Sequence, residues 1–389
     1  MRHEIMESKL SGNWRRHVVR RYGAHVREGT RRMRALAQIA TADLDGQFAV
    51  PYAAYMPERD RLIVLLNSGD PMRPCLMESD DHGATWSAPR LVREDVPPDL
   101  GVGLAYLGDG RLILTVLGEA SRRFFSDDFG ESWDRSAPMP APSFGRSKSE
   151  WDPPLVDRDP GSSAVRRLYS TAYQQATPYP PDHDPDWACL RTSDDLGQTW
   201  SEDVMVPQWR GINEVALVRA ANGDLVAACR TDWLEEHVYY QNVLTESDHY
   251  SGLACSVSSD DGATWSEATI LYRYGRHHPS MVVMPDGAIV MSYVVRKGYP
   301  KHPSGHDRYG IEAMVSRDHG RTWDPSAYLL HDWSANRTDE YAWFASSQCT
   351  STVLLPDGDL LTCFSTGVLT PPDAAVPRRD VAFVRWTVE

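Results

Sequence analysis

The chain has 389 residues, 41% hydrophobic and 24% charged, with a formal net charge of −14. That is the composition of an ordinary globular protein. No stretch approaches the ~18 consecutive apolar residues of a membrane-spanning helix, so no membrane partner is expected. A strongly acidic body repels phosphates, so nucleic acid is not expected either. The aromatic residues lean toward those with a polar handle, 13 Trp and 17 Tyr against 8 Phe, a bias suited to β-repeat packing and to sugar sites.

In chain order, residues 1–32 come first as a basic N-terminal extension, read as a solvated or helical arm. Its charge is opposite to that of the body: residues 1–34 carry ten Lys or Arg and three Asp or Glu. It lacks the apolar core of a secretory signal, which predicts a cytoplasmic protein. "MRALAQIATA" (33–42) then reads as a strand, and everything from 33 to 389 reads as one folded unit.

A hairpin pattern follows, with two apolar, β-branched runs around a tight turn. The first is "YAAYMPERDRLIVLLNSG" (52–69), and "SDDHGATW" (79–86) closes its unit. "GLAYLGDGRLILTVLG" (103–118) leads to "SDDFGESW" (126–133), and the looser "PPLVDRDPGSSAVRRLYSTA" (153–172) to "SDDLGQTW" (193–200). "VALVRAANGDLVAACR" (215–230) precedes "SSDDGATW" (258–265), and "SMVVMPDGAIVMSYVVR" (280–296) precedes "SRDHGRTW" (316–323). The sixth hairpin, "STVLLPDGDLLTCFSTG" (351–367), is followed by "VAFVRWTVE" (381–389).

The five closing segments share Ser-x-Asp-x-Gly-x-Thr/Ser-Trp, and their tryptophans recur at intervals of 47, 67, 65 and 58 residues. Each reads as a turn in which the Asp accepts backbone N–H groups, the Gly takes positive φ and the Trp packs between neighbouring units. A motif returning at the length of one four-stranded sheet is a repeat signal. Six such units predict an all-β, six-bladed β-propeller of four-stranded antiparallel blades. The sixth unit holds only three C-terminal strands, so residues 33–42 are expected to supply its fourth and close the ring.

These repeats resemble the Asp boxes of the sialidase (neuraminidase) superfamily, and the resemblance runs from about residue 33 to the C-terminus. It implies a hydrolase of terminal sugars in which three arginines bind the substrate carboxylate, a Tyr assisted by a Glu is the nucleophile, and an Asp is the acid/base. A phenol suits an anionic sugar because a carboxylate nucleophile would repel it, and an arginine fork matches both carboxylate oxygens. In "NEVALVRAANGDLVAACR", Glu214 and Arg230 match the sialidase Glu and second Arg in context and spacing. Asp70, after the first hairpin, lies about where the acid/base would. Two positions depart: Ala49-Val50-Pro51 stands where the first arginine motif would be, and Cys349 where the Tyr would be. Tyr341 is the candidate replacement for the Tyr, and Arg296, Arg308 and Arg337 are candidates for the third arginine.

Counting eight residues back from each regular turn selects Tyr52, Gly101, Glu214, His278 and Cys349 for the axial end of the innermost strands. The irregular third hairpin offers "EWDPP" (150–154), from which Trp151 is taken. Tyr52 and Trp151 are candidates to stack on a sugar, with Arg230, Arg296 and Arg337 to anchor it. An axial His278 beside a Tyr also suits β-elimination from a uronate. The resulting expectation is a sialidase-like exo-glycoside hydrolase for a terminal, acidic sugar, with Asp70, Glu214, His278 and Tyr341 as catalytic candidates. A uronate lyase using His278 and Tyr52, or a non-catalytic glycan-binding propeller, are the alternatives. The partner in all three is carbohydrate. No cofactor is expected. No metal site is expected either: "DHDPDW" (182–187) reads as a solvated turn, and the six cysteines as buried free thiols.

Overall fold

The computed structural model describes residues 14–23, 31–41 and 48–388, apart from 70, 119–120, 144–147, 175–184, 232–250, 274, 296–309, 333–347 and 367–379. It is an all-β ring of six four-stranded antiparallel blades. Blade 1 contains Phe48–Met56, Arg61–Ser68, Arg73–Ser79 and Arg90–Leu91, from the axis outward. Blade 2 runs Leu100–Gly108, Arg111–Leu117, Arg122–Ser126 and Arg135–Pro138. In blade 3 the innermost strand is split into Lys148–Ser149 and Leu155–Arg158, both pairing with Val165–Gln174 ahead of Trp187–Ser193 and Val204–Arg210. Blades 4 and 5 begin at Ile212–Arg219 and Arg276–Val283.

Blade 6 is made from both ends of the chain. Gln348–Leu354, Leu360–Thr366 and Asp380–Trp386 are followed by Arg31–Thr41, which pairs antiparallel with Asp380–Trp386 as the repeat arithmetic requires. The arm ahead of it differs from expectation. Trp14–Gly23 is a strand, paired on one side with Arg31–Thr41 and on the other with Ser326–Asp332, the outermost strand of blade 5. Blades 5 and 6 thereby become one nine-stranded sheet. An outer edge with unpaired N–H and C=O groups is a template for another strand, and residues 14–23 occupy it.

The five repeated turns are alike in detail. In the first, Ser79 Oγ donates to Asp81 at 2.8 Å and accepts from Gly83 N at 2.8 Å, while Thr85 donates to Asp81 through N (2.8 Å) and Oγ1 (2.6 Å). The same bonds recur around Asp128, Asp195, Asp260 and Asp318. Each central glycine has φ between +82° and +89°, where a side chain is strained. Gly130, Gly197, Gly262 and Gly320 also sit against the preceding blade: a Cβ on Gly320 would lie 2.5 Å from Val226, and one on Gly130 2.7 Å from Ile63. The turn chemistry therefore sets the spacing between blades as well as the turn itself.

Around the axis the innermost strands are joined by side chains to backbone. Ala53 N donates to Ser351 Oγ (3.0 Å) and Thr352 N to Ser280 Oγ (3.0 Å), while in blade 3 the second strand reaches the innermost strand of blade 4 through Thr171 Oγ1, which donates to Val215 O (2.7 Å). Buried apolar clusters fill the space between successive blades, such as Ile63, Leu65, Leu112 and Leu114 between blades 1 and 2. Cys75, Cys189, Cys229, Cys255 and Cys363 are buried free thiols.

Candidate functional site

In five blades the innermost strand loses register with its neighbour near its axial start: between Ala49 and Tyr52, Val102 and Ala105, Ile212 and Val215, His277 and Ser280, and Gln348 and Thr350. A bulge of this kind re-aims one side chain out of the pleat. In the third blade the strand breaks altogether between residues 149 and 155. The residues released at these points form the axial site.

Blades 4 and 5 supply its charged part. Glu214 sits in the blade 4 bulge, 9% exposed. Its backbone N–H donates to Asn213 Oδ1 at 2.7 Å, and Asn213 Nδ2 in turn donates to Asp186 at 2.9 Å. The Arg230 guanidinium donates to both Glu214 oxygens, at 3.2 and 3.4 Å. His278, at φ +50° in the blade 5 bulge, places Nδ1 3.2 Å from Glu214 Oε2. Burial alone would push the Glu214 carboxyl up; Arg230 and then His278 outweigh it and hold it at about 2. Glu214 is therefore an ionised carboxylate in a nearly dry setting.

A second carboxyl lies beside it with the opposite displacement. Asp152, in the gap of the third blade, is 9% exposed and accepts a hydrogen bond from the backbone of Val215, the residue after Glu214. Burial pushes it up, His278 pulls it down and the Glu214 charge pushes it up again, to about 7 in all. The segment carrying it is anchored at Glu150, which accepts from Arg123 (2.7 Å) and Ser170 (3.3 Å) and faces Lys148 at 3.5 Å. Tyr173, partly buried, keeps its phenol proton at neutral pH because its surroundings and the Glu214 charge both push it up.

Blades 1 and 2 are different at the axis. Ala49 is fully buried, and its carbonyl accepts from Asn67 Nδ2 at 3.3 Å. Asn67 also donates to Gly101 O (2.9 Å) and accepts from Gly101 N (2.6 Å), while Val50 N donates to Ser365 Oγ (2.8 Å). Below this level an axial cavity of about 540 Å³ is walled by all six innermost strands. Tyr52, Asp152 and Thr350 line it at the end near Glu214, with Tyr55, Tyr106 and Arg219 at the other.

The count of eight residues thus brings Glu214 and His278 into contact, and Arg230 joins them. Tyr52 is 1% exposed and lines the cavity, its ring centroid 6.5 Å from that of His278 at 52°. Trp151 is half-buried against the core shared by blades 1 and 2. Asp70, Arg296, Arg308, Arg337 and Tyr341 lie outside the described residues. So do 182–184 of the acidic turn, and among the described residues no group of three His, Cys, Asp or Glu is placed to hold a metal. Asp152 was missed in the sequence. Its segment was found, but without a regular turn the register was open by one residue, and the Asp-Pro step next to Trp151 was the available signal.

No family model matches the chain, and no curated protein sequence does. Solved structures do. A protein of unknown function from Dyadobacter fermentans superposes with a TM-score of 0.65 at 17% identity, covering 90% of this chain and 98% of that one. The NanB sialidase of Streptococcus pneumoniae gives 0.60 at 12% identity over 90% of this chain and 70% of that one. The fold is that of the sialidases. An intramolecular trans-sialidase from Ruminococcus gnavus, solved with oseltamivir carboxylate, gives 0.57 at 12% over 90% and 96%. At such identities a sialidase-like propeller is established and its chemistry is not.

Proposed function

We propose that this protein is an exo-acting glycoside hydrolase that binds the end of a glycan at the axial face of its sialidase-like propeller. The observation that carries the reading is the contact of Glu214 with Arg230 and His278, which gathers an ionised carboxylate, a guanidinium and an imidazole at one point on the axis. A buried anion held beside the anomeric carbon stabilises positive charge developing on the sugar, and costs no reorganisation at that moment. Asp70 would protonate the departing oxygen as the C–O bond breaks. Either a water deprotonated through Glu214 would form the new bond to the anomeric carbon, or Tyr341 would form it, giving its proton to Glu214. In the second case a water deprotonated by Asp70 would then break the Tyr341–sugar bond as the phenol takes its proton back.

The test is release of methylumbelliferone from a panel of methylumbelliferyl glycosides, with Glu214→Gln as control. Turnover that disappears in the variant supports the reading. Turnover undiminished in the variant, or none by the wild type, sinks it.

One contact favours a second reading. When neutral, His278 with its Nδ1–H donated to Glu214 carries its lone pair on Nε2, the arrangement of a base, and Tyr52 is its ring neighbour. That suits elimination from a uronate: His278 takes the proton α to the carboxylate, the C–O bond β to it breaks, and Tyr52 protonates the leaving oxygen. The product would carry a conjugated double bond that absorbs in the ultraviolet, which hydrolysis does not create.

A further inference from the structure

The sugar itself is the remaining question, and three features of the axis bear on it. The first is the sealed position in blade 1. Ala49, standing where the resemblance calls for a carboxylate-binding arginine, is fully buried in the core with Val50, Leu65 and Val102. Its carbonyl and the next N–H are held by Asn67 and Ser365. This sector is built to close the ring. The second is that Arg230 donates to both oxygens of Glu214, so its charge is matched before any substrate arrives. The third is Asp152, a carboxyl at the cavity end nearest Glu214.

Among the described residues, the end of the axis near Glu214 holds the carboxyls of Glu214 and Asp152 against the Arg230 guanidinium and the His278 imidazole, while Asp157, Arg158 and Arg219 line the other end. A substrate carboxylate placed near Glu214 meets its anion in surroundings of low dielectric, where like charges repel strongly. It also lies beside Asp152, a carboxyl that the same surroundings and the same charge already disfavour as an anion. Sugar hydroxyls meet the same groups favourably. They donate to carboxylate oxygens and accept from Arg230 and Tyr173, and a hydrogen bond to a charged group is the stronger kind.

We propose that the axial site takes a neutral, hydroxyl-rich sugar, with hydroxyls at its buried end donated to Asp152, rather than a sugar bearing a carboxylate. The proposal names the substrate class of the hydrolase site and rests on that reading only for turnover, since binding is measurable without it.

The experiment uses the full chain in two arms. Methylumbelliferyl glycosides of neutral hexoses and deoxyhexoses are compared with the α-N-acetylneuraminide and the β-glucuronide. The same free sugars are titrated calorimetrically. The expected result is a neutral glycoside preferred in kcat/KM by on the order of 100-fold over both acidic ones. Asp152→Asn keeps an acceptor for the Val215 N–H and is expected to weaken binding of that neutral sugar by about 10- to 100-fold. Neutral-sugar binding that depends on Asp152, with no turnover, supports this proposal while removing the hydrolase reading. A preference for either acidic sugar overturns it and leaves hydrolysis standing. Binding indifferent to Asp152→Asn also overturns it, and a wild type that neither binds nor turns over any of these sugars overturns both.

Discussion

The axial ends of blades 1 and 4 start from the same device and finish differently. Both have a bulge in the innermost strand, between Ala49 and Tyr52 in one and between Ile212 and Val215 in the other. In blade 1 the bulge holds Val50 and Pro51, its backbone is tied off by Asn67 and Ser365, and the side chains it releases are apolar. In blade 4 it carries Glu214, with Arg230 and His278 gathered on its carboxylate. The bulge belongs to the fold, and the chemistry belongs to whichever side chain it re-aims. A propeller of this kind can therefore hold reactive groups on one side of its axis and structural ones on the other.

The largest effect expected from breaking that contrast is on the blade 4 side. Glu214→Gln keeps the shape, removes the anion from Arg230 and His278, and is expected to lower turnover of the preferred glycoside by about 10³-fold with the fold intact. Kinetics beside circular dichroism checks both parts.

Next comes the pH dependence of stability, which sharpens the comparison because the two axial carboxyls have opposite signs. Asp152 sits at about 7 when folded, against an ordinary value near 4, so folding binds a proton there and stability falls as pH rises from about 4 to 7. The term amounts to a few kcal/mol at most. Glu214, held at about 2, contributes stability above its ordinary range and loses it as pH falls from about 4.5 toward 2. Denaturation of Asp152→Asn is expected to show a flatter profile between pH 4 and 7 than the wild type; identical profiles would contradict the placement of this carboxyl.

On the blade 1 side, Asn67→Ala leaves buried backbone groups of Ala49 and Gly101 without their partner and is expected to cost about 2–3 kcal/mol of stability. Its effect on turnover should be far smaller than that of Glu214→Gln. An equal loss of turnover would mean that the two sectors are not separate. The smallest effect is in a single repeated turn, where Ser79→Ala removes one acceptor and one donor for about 1 kcal/mol, read as a small fall in Tm.

Much of this was legible in the chain because the signals are local. A turn of Ser, Asp, Gly and Thr satisfies its own hydrogen bonds within a few residues, so five copies announce five blade ends whatever surrounds them. Counting from turn to axis along a regular strand is equally local, and it selected Glu214 and His278. The count failed where the strand is irregular, at blade 3, where Asp152 rather than Trp151 joins the group around Glu214. The strand state of the N-terminal arm is hidden in the chain for another reason. Nothing in residues 14–23 says that an outer edge lies open beside them, and their strand state depends on Ser326–Asp332, some 300 residues away along the chain.

The sequence by itself determined the ring: six hairpins, five tied turns, and a sixth blade closed by residues from both termini. Its physical basis is short-range backbone satisfaction repeated at a fixed interval. Only the tertiary structure decided that Glu214, Arg230, His278 and Asp152 share one small volume. Three of the four lie on separate blades, and that proximity is created by closing the ring around one axis and carries no sequence period.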